Sequence, residues 1–328
     1  MSSTSRFVTR GLARPAAVAT ALALAGFAGS IHAQDSFPSE TIQVVTHSGV
    51  GGGTDVNARM IIQQVQETSG INMEIVNRIG GAGMLALSYM NSRPADGHTV
   101  AFVTPSHLYG IAQGRSPFEF DEIIPLARAT DDPNVIIVKA GGGIETFEDL
   151  IEQSKSGTGL KWGTTHVGGV AHIAIHKLSK AAGFKYEVVP FEGGAEVVTN
   201  IVGGNVAAAL ANVSEAGSLL EAGEVIPVAV LSEERVEILP EVPTVTEKGY
   251  DVVAATVRGL VAPPGVPEEN VEKLRQVLLE AMQTEAYQEF LKTNGMTPDA
   301  VGDAEEWQRQ MQRIYQDGEE VLGELGML

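Results

Sequence analysis

The sequence predicts an α/β fold of layered, largely parallel strands. Short β-rich runs alternate with helical patterns, several of those runs end in glycine- or hydroxyl-rich turns, and the last stretch is helical with no strand after it. With 328 residues the chain is long enough for two domains, and with no cysteine it must stabilise them by burial rather than by disulfides.

At the N-terminus, Arg6, Arg10 and Arg14 precede an apolar stretch, 16–29, that is too short to span a bilayer and is followed by Ile31, His32 and Ala33. This order reads as a signal peptide, 1–33, cut after Ala33, and it predicts a periplasmic protein. No other run approaches transmembrane length. The formal net charge of −19 becomes more negative once those arginines are removed, which argues against nucleic acid as a partner. A small anionic ligand stays compatible with that charge, because amides at a closed cleft act locally while distant surface charges are screened beyond roughly 8–10 Å.

Strands are expected at 42–46, 73–77, 99–104, 134–138, 186–190, 206–211 and 226–231. The first runs into SGVGGGTDVNAR, which begins at Ser48, and then into a helix marked by Ala58, Ile61, Ile62 and Val65 and stopped by Gly70. Such a turn presents unpaired N–H groups at a helix start and favours an anion. It is not a nucleotide loop: no Gly-Lys-Ser/Thr is present, and Thr54 stands where a third glycine of the dinucleotide fingerprint would fall. A plain tight turn with Asp55 as the helix cap accounts for the same residues, and both readings stand at this point.

Four later loops share that chemistry. Gly80, Gly81, Ala82 and Gly83 follow one strand, and Thr104, Pro105 and Ser106 follow another. In the second half, Gly163, Thr164, Thr165 and His166 lead through Gly168 and Gly169 to a helix, 169–182, with Val170, Ile173, Ala174, Leu178 and Ala181 on one face and Gly183 at its end. Phe191, Glu192, Gly193 and Gly194 follow the strand that ends at Pro190. Hydroxyls and amides recur in these loops, whereas fixed cations do not. Loops at the carboxyl ends of parallel strands are where open α/β sheets bind ligands, so loops from both halves converging on one cleft is the expectation. Beyond Pro263, Pro264 and Pro267, Val271, Leu274, Leu278 and Ala281 form a helical stripe, and Asp303 with Glu306 forms a capping box ahead of Trp307, Met311 and Ile314.

His172 and His176 are four apart on a helix with His166 nearby, a spacing that could serve a metal, but no carboxylate or thiol accompanies them and Ile173 replaces the glutamate of a metallopeptidase helix. No metal or cofactor is expected; His172 is expected to reach the cleft from the first turn, and His176 to be a surface or packed residue. Catalysis lacks a Gly-x-Ser-x-Gly elbow, and the pairs His47-Ser48 and Ser106-His107 are only sequence neighbours.

The mature chain resembles the tripartite tricarboxylate transporter substrate-binding proteins, the TctC or Bug-type periplasmic solute receptors, along its whole length. The resemblance is carried by SGVGGGTDVNAR, NRIGGAG from Asn77, RPADGHTVAFVTPSH from Arg93, VPFEGGAEVVTNIVGGNV from Val189, NVSEAGSLLEAGE from Asn212, ERVEILPEVPTVTEKGY from Glu234 and RGLVAPPGVP from Arg258. It implies a two-lobed periplasmic-binding-protein fold of type II, a Venus flytrap with two crossover strands. Lobe one would be 37–133 plus 263–328, lobe two 139–256, and the hinge crossovers 134–138 and 257–262.

The function implied is that of a non-enzymatic receptor. It would capture a small organic carboxylate, a di- or tricarboxylate or related acid, as a monomer and deliver it to the large and small integral-membrane subunits of a transporter. A periplasmic hydrolase or a ligand-sensing subunit would be the alternatives. The ligand set implied is Ser48, Gly51, Gly52, Gly53, Thr54, Thr104 and Ser106 in lobe one and Thr164, Thr165, His166, His172, Gly193, Gly194 and Ser214 in lobe two, with no obligatory arginine. Asp55 belongs to the same ligand-binding set; it matches a family aspartate and, within that set, reads as the cap that shapes its loop, since a second carboxylate facing an anion would repel it. Ala207, in place of an aspartate common in the family, and His47-Ser48-Gly49, in place of a proline-containing lead-in, are departures that bear on which acid is bound.

Overall fold

The computed structural model describes residues 37–165, 167–191 and 194–328. The signal-peptide expectation, together with His166 and Gly193, lies outside the described residues. Contacts divide the chain into Met1–Ser39, of which only 37–39 are described, and Glu40–Leu328.

Within the second unit the chain first forms β1 (Ile42–Thr46), α1 (Gly53–Ser69), β2 (Met73–Asn77), α2 (Met84–Asn91), β3 (Thr99–Val103), α3 (Pro105–Ala112) and the long β4 (Ile124–Lys139). It continues through α4 (Phe147–Lys155), β5 (Leu160–Thr164), α5 (Val170–Ala182), β6 (Tyr186–Pro190), α6 (Gly194–Val202), β7 (Ala208–Asn212), α7 (Val213–Glu221) and β8 (Val225–Val230). Then β9 (Ala255–Ala262) returns and is followed by α8 (Glu268–Met282), α9 (Glu285–Thr293) and α10 (Ala304–Glu324).

The strands lie in the order β2-β1-β3-β9-β4-β7-β5-β6, with β8 also on β4. Strands β1, β2 and β3 pair in parallel, as do β5, β6 and β7, so each half presents the carboxyl ends of three parallel strands. The expectation of largely parallel strands holds inside the halves and fails between them. Strand β4 leaves the first half and β9 comes back to it, so the two must run antiparallel; Thr130 faces Arg258 and Asp132 faces Thr256 in their register. Beyond Pro133 the same β4 strand changes neighbours and pairs with β7 and β8 from Asn134 on. The run expected at 134–138 is thus the end of a 16-residue strand.

Strand β5, absent from the expected set, is short and interrupted by Lys161 and Gly163. A side chain at Gly163 would press within 3.1–3.3 Å of Val197, Ala209 and Val206, so the residue that weakens the strand signal is the one that lets α6 and β7 pack there.

Separate cores serve the two halves. Val45, Leu87, Ala101, Val103, Leu108 and Trp307 are among the buried residues of one, and Ile136, Phe147, Trp162, Ile175 and Leu210 among those of another. Helix α10 starts at the expected Asp303–Glu306 box, where Asp303 accepts from the N–H groups of Glu305 and Glu306, both at 2.9 Å. Its Trp307 is fully buried against Gly259 of β9, where a Cβ would come within 2.3 Å of the indole. Gly259 is therefore a packing glycine, and the tail is keyed onto a crossover strand. Trp307→Ala is expected to cost about 3–5 kcal/mol through the cavity it leaves, and Gly259→Ala about 1–3 kcal/mol through overpacking, both read from urea unfolding midpoints. Wild-type stability in both variants would deny this contact its role.

Candidate functional site

The turn after β1 is held by one carboxylate. Asp55 Oδ2 accepts from the Gly51 N–H at 2.9 Å and from Arg59 Nε at 2.9 Å, while Oδ1 accepts from Arg59 Nη2 at 3.1 Å and Asn77 Nδ2 at 2.9 Å. The same Asn77 amide also donates to the Ser48 carbonyl at 2.8 Å, joining β2 to the turn. The Arg59 hydrogen bonds and then those of Asn77 and Gly51 outweigh burial and lower the Asp55 carboxyl from 3.8 to about 2. Asp55 is thus the anchor of the loop, with both oxygens engaged, and is not an open ligand contact.

Two of the expected donor amides are engaged as well. The Gly51 N–H goes to Asp55 and the Gly52 N–H to the Gly49 carbonyl at 3.0 Å, and the Ser48 side chain sits where a Gly52 Cβ would be. Gly52 is the N-cap residue and makes no side-chain cap, so the first-turn amides of Gly53 and Thr54 have no intrahelical acceptor. Gly53 is exposed and Thr54 buried. The anion-favouring part of the turn is therefore its last two residues.

The second loop winds through left-handed backbone at Gly81, Ala82 and Gly83, with φ of 60°, 53° and 95°. A Cβ on Gly83 would fall 2.4 Å from His107 Nε2, so glycine allows the loop to lie on a buried imidazole. His107 Nδ1 accepts from the Thr104 N–H at 3.1 Å and lies 3.1 Å from the Thr104 hydroxyl. That bond assigns the neutral tautomer with the proton on Nε2. Burial first, and the neighbouring His47 second, push the His107 pKa well below its ordinary value. Thr104, expected at the ligand, is buried and held by His107, whereas Ser106 is half-buried in the first turn of α3. The neighbour pairs His47-Ser48 and Ser106-His107 conceal a contact between their histidines, whose rings meet edge to face at 4.5 Å.

In the second half Thr164 is fully buried at the end of β5 and Thr165 is half-buried after it. His172, expected to reach the cleft, is buried and hydrogen-bonded within the second half. Its Nδ1 accepts from the Gly168 N–H at 2.9 Å, its Nε2 meets the Tyr186 hydroxyl at 3.3 Å, and burial followed by the nearby His176 lowers its pKa. His176 is a packed residue, bonded to the Tyr186 hydroxyl at 3.0 Å and to Glu324 at 2.9 Å. The two imidazoles thus share a tyrosine hydroxyl. Gly194 backs onto the Glu215 carboxylate, which accepts from the Asn212 N–H at 3.3 Å at the start of α7. Ser214 lies in that helix, and its side chain is outside the described set.

A fixed cation, which the loop chemistry did not lead one to expect, stands beside the first loop. Arg258 of β9 lies with its Nη2 3.1 Å from the Cβ position of Gly53, and its side chain is only 11% exposed. On the same face of the ribbon are Thr130, Asp132 and Thr256, reached at 3.4, 3.6 and 3.4 Å from Nη1, the last through its carbonyl. Asn212 ties in the second half, donating to the Asp132 carbonyl and accepting from the Thr256 hydroxyl, both at 3.0 Å. The legible signal was the alternation of polar Thr130, Asp132 and Asn134 on one strand and Thr256 and Arg258 on the other. The opposite face, with Asp131, Pro133, Ala255 and Val257, borders a cavity of about 1000 Å³ between α3, α5 and α10 that includes none of the glycine-loop residues of lobe one.

Asp55→Asn is expected to destabilise the protein by roughly 1–2 kcal/mol at pH 7, less than the full lowering of the carboxyl implies because the Arg59 partner is half-exposed and screened. The folded-state value lies below the unfolded one, so this stabilisation is complete above pH 3.8 and is lost as pH falls towards about 2. Urea unfolding at pH 7 and near pH 2 checks it: the gap between wild type and variant should narrow in acid.

Residues 57–327 match the family model described as tripartite tricarboxylate transporter family receptor. The chain is 27% identical over 283 residues to the protein BugT of Bordetella pertussis, covering 84% of this chain and 86% of that one. It is similar in structure to MatC of Rhodopseudomonas palustris with bound malate, at a TM-score of 0.75 and 25% identity, covering 87% of this chain and 100% of that one. A second R. palustris protein, with adipate, gives a TM-score of 0.75 and 26% identity over 88% of this chain and 98% of that one. Two halves of parallel strands joined by crossing antiparallel ones are the two-lobed fold of the periplasmic binding proteins, and with the family model spanning nearly all of the second unit, the chain belongs to the tripartite tricarboxylate transporter receptor family.

Proposed function

We propose that this chain is an extracytoplasmic receptor that traps a small organic carboxylate between its lobes and delivers it to the large and small membrane subunits of a tripartite tricarboxylate-type transporter. The observation that carries the ligand class is the uncapped start of α1, where the amides of Gly53 and Thr54 have no intrahelical acceptor and Asp55 holds the turn rigid. Malate and adipate in structurally similar proteins support the same class. The lobes are 37–133 with 263–328 and 139–256, with crossovers at 134–138 and 257–262. The exchange of β4 partners between Pro133 and Asn134 supports the end of the first lobe-one segment at 133.

Export is included in the proposal. No helix among the described residues is long and apolar enough to cross a membrane, and the order of Arg6 to Ala33 supports a cleaved signal. Closure brings the lobe-two loops, which include Thr165 and Gly194, over an acid first held by the α1 amides.

A stabilisation screen against malate, adipate, succinate, citrate, glutamate and benzoate tests the reading, since an acid at about 100 times its dissociation constant adds about 2.7 kcal/mol to the folded state. Gly53→Val is expected to weaken the best acid by about 1.5–3 kcal/mol in calorimetry, because the new side chain covers the amide and displaces Arg258. Saturating acid should also reduce the radius of gyration in small-angle scattering. No stabilisation by any acid, or an unchanged dissociation constant in folded Gly53→Val, counts against it.

A further inference from the structure

Two arginines in this protein with structural roles, Arg59 and Arg235, are closely paired. Arg59 holds Asp55 at 2.9 and 3.1 Å, and Arg235 holds Glu247 at 2.8–3.0 Å, although both arginines are about half exposed. Arg258 is far more buried and more loosely held. Its Nη1 reaches Thr130, the Thr256 carbonyl and Asp132 only at 3.4–3.6 Å, and its Nε is buried with no partner among the described residues. A guanidinium has five N–H donors in a planar fork, and charge-assisted bonds close at about 2.7–2.9 Å. This side chain has been taken out of water without the close pairing that normally compensates.

The loose end of the fork is directed at the first loop. Nη2 lies beside Gly53, the exposed residue that opens α1, 3.1 Å from where a Cβ on that residue would stand. An anion alongside the two accepts from Nη2 and from the first-turn amides, and both sources of positive potential act on the same group. Asp132 is set back at 3.6 Å, close enough to orient the fork and offset its charge while the cleft is empty, too far to occupy its donors. Strand β9 pairs with both β3 and β4, so this charge lies on the ribbon beside the first half's parallel strands.

We propose that Arg258 is a ligand-contacting, specificity-determining residue: its guanidinium and the Gly53 end of α1 together grip one carboxylate of the solute, with Asp132 as the positioning counter-charge. This rests on the receptor reading and adds the group that reads the acid's charge. One carboxylate fits here, since a second negative group at the same point would face Asp132. A second acidic end of the solute must therefore be met elsewhere.

The test uses the mature protein with malate and adipate as probes in calorimetry. Arg258→Gln combined with Asp132→Asn removes both charges at once, so neither is left buried and alone. The pair variant is expected to keep a cooperative thermal transition and to bind the better probe about 10- to 100-fold more weakly than wild type. Asp132→Asn alone separates a ligand role from a structural one. If Arg258 serves the ligand, relieving the counter-charge while the amide oxygen that replaces the carboxylate still orients the fork leaves the acid bound at least as tightly; if the two residues only support the fold, that variant binds more weakly. Arg258→Lys keeps the charge without the fork and is expected to fall between wild type and the pair variant. Binding by the pair variant within threefold of wild type, or weakened binding in Asp132→Asn, overturns the assignment while the receptor reading stands. A wild-type protein that binds neither probe nor any acid of the screen overturns the receptor reading, and this assignment with it.

Discussion

The antiparallel pairing of β4 with β9 is the constraint on which the rest of the molecule depends. One strand carries the chain out of the first half and the other brings it back, so the two halves share a ribbon whose successive side chains point to opposite sides. One side gathers Thr130, Asp132, Thr256 and Arg258 next to the first glycine loop, and the other floors the cavity against α3, α5 and α10. Gly259 adjoins Arg258 and accommodates the Trp307 indole on the next pleat. A shift of one residue in register would exchange these faces, burying polar groups under Trp307 and turning apolar ones to the site. Packing of the C-terminal helix and the chemistry of the site are therefore set by the same pairing.

The first loop is built around a carboxylate. Asp55 accepts from the turn, from its own helix and from the end of β2, and these bonds hold its charge within the protein. Gly51 and Gly52 are used to make the turn, which leaves the first-turn amides of the exposed Gly53 and the buried Thr54 without an intrahelical acceptor. His107 has a comparable role beside the neighbouring strand β3. It holds Thr104 and supports Gly83, and its depressed pKa keeps it neutral, so it adds shape to the site rather than charge. In the second half His172 does the same for the Gly168 turn.

Helix α10 extends this organisation across the halves. Its far end packs Val321 and Leu322 with Tyr109 and Ile173, and Lys177 pairs with Asp317 at 2.8 Å. Glu324 takes both Lys180 and His176, and these two partners, in that order, hold its carboxyl below the usual range. Exposed pairs of this kind contribute little singly. The buried apolar seam between them stabilises the contact more, and the ion pairs fix which turn of α10 meets α5.

By itself, the sequence determined the elements whose signals are local. Periodicity, glycine stops and the Asp303–Glu306 box were enough for α1, α5 and α10, for the parallel strands β1, β2, β3 and β6, and for the family through its glycine-loop segments. Asp55 read as the helix cap, but Gly52 holds that position and Asp55 shapes the loop from within the first turn of α1 by accepting from the Gly51 N–H. The tertiary structure alone decided what depends on residues far apart in the chain. The meeting of Arg258 with Gly53, separated by most of the chain, has no local pattern, and neither has the antiparallel course of β4 and β9. The partners that occupy Thr104, His172, Gly51 and Gly52 were equally hidden, because whether a polar group faces a ligand or a neighbour is settled by which donors and acceptors the fold brings within about 3 Å of it.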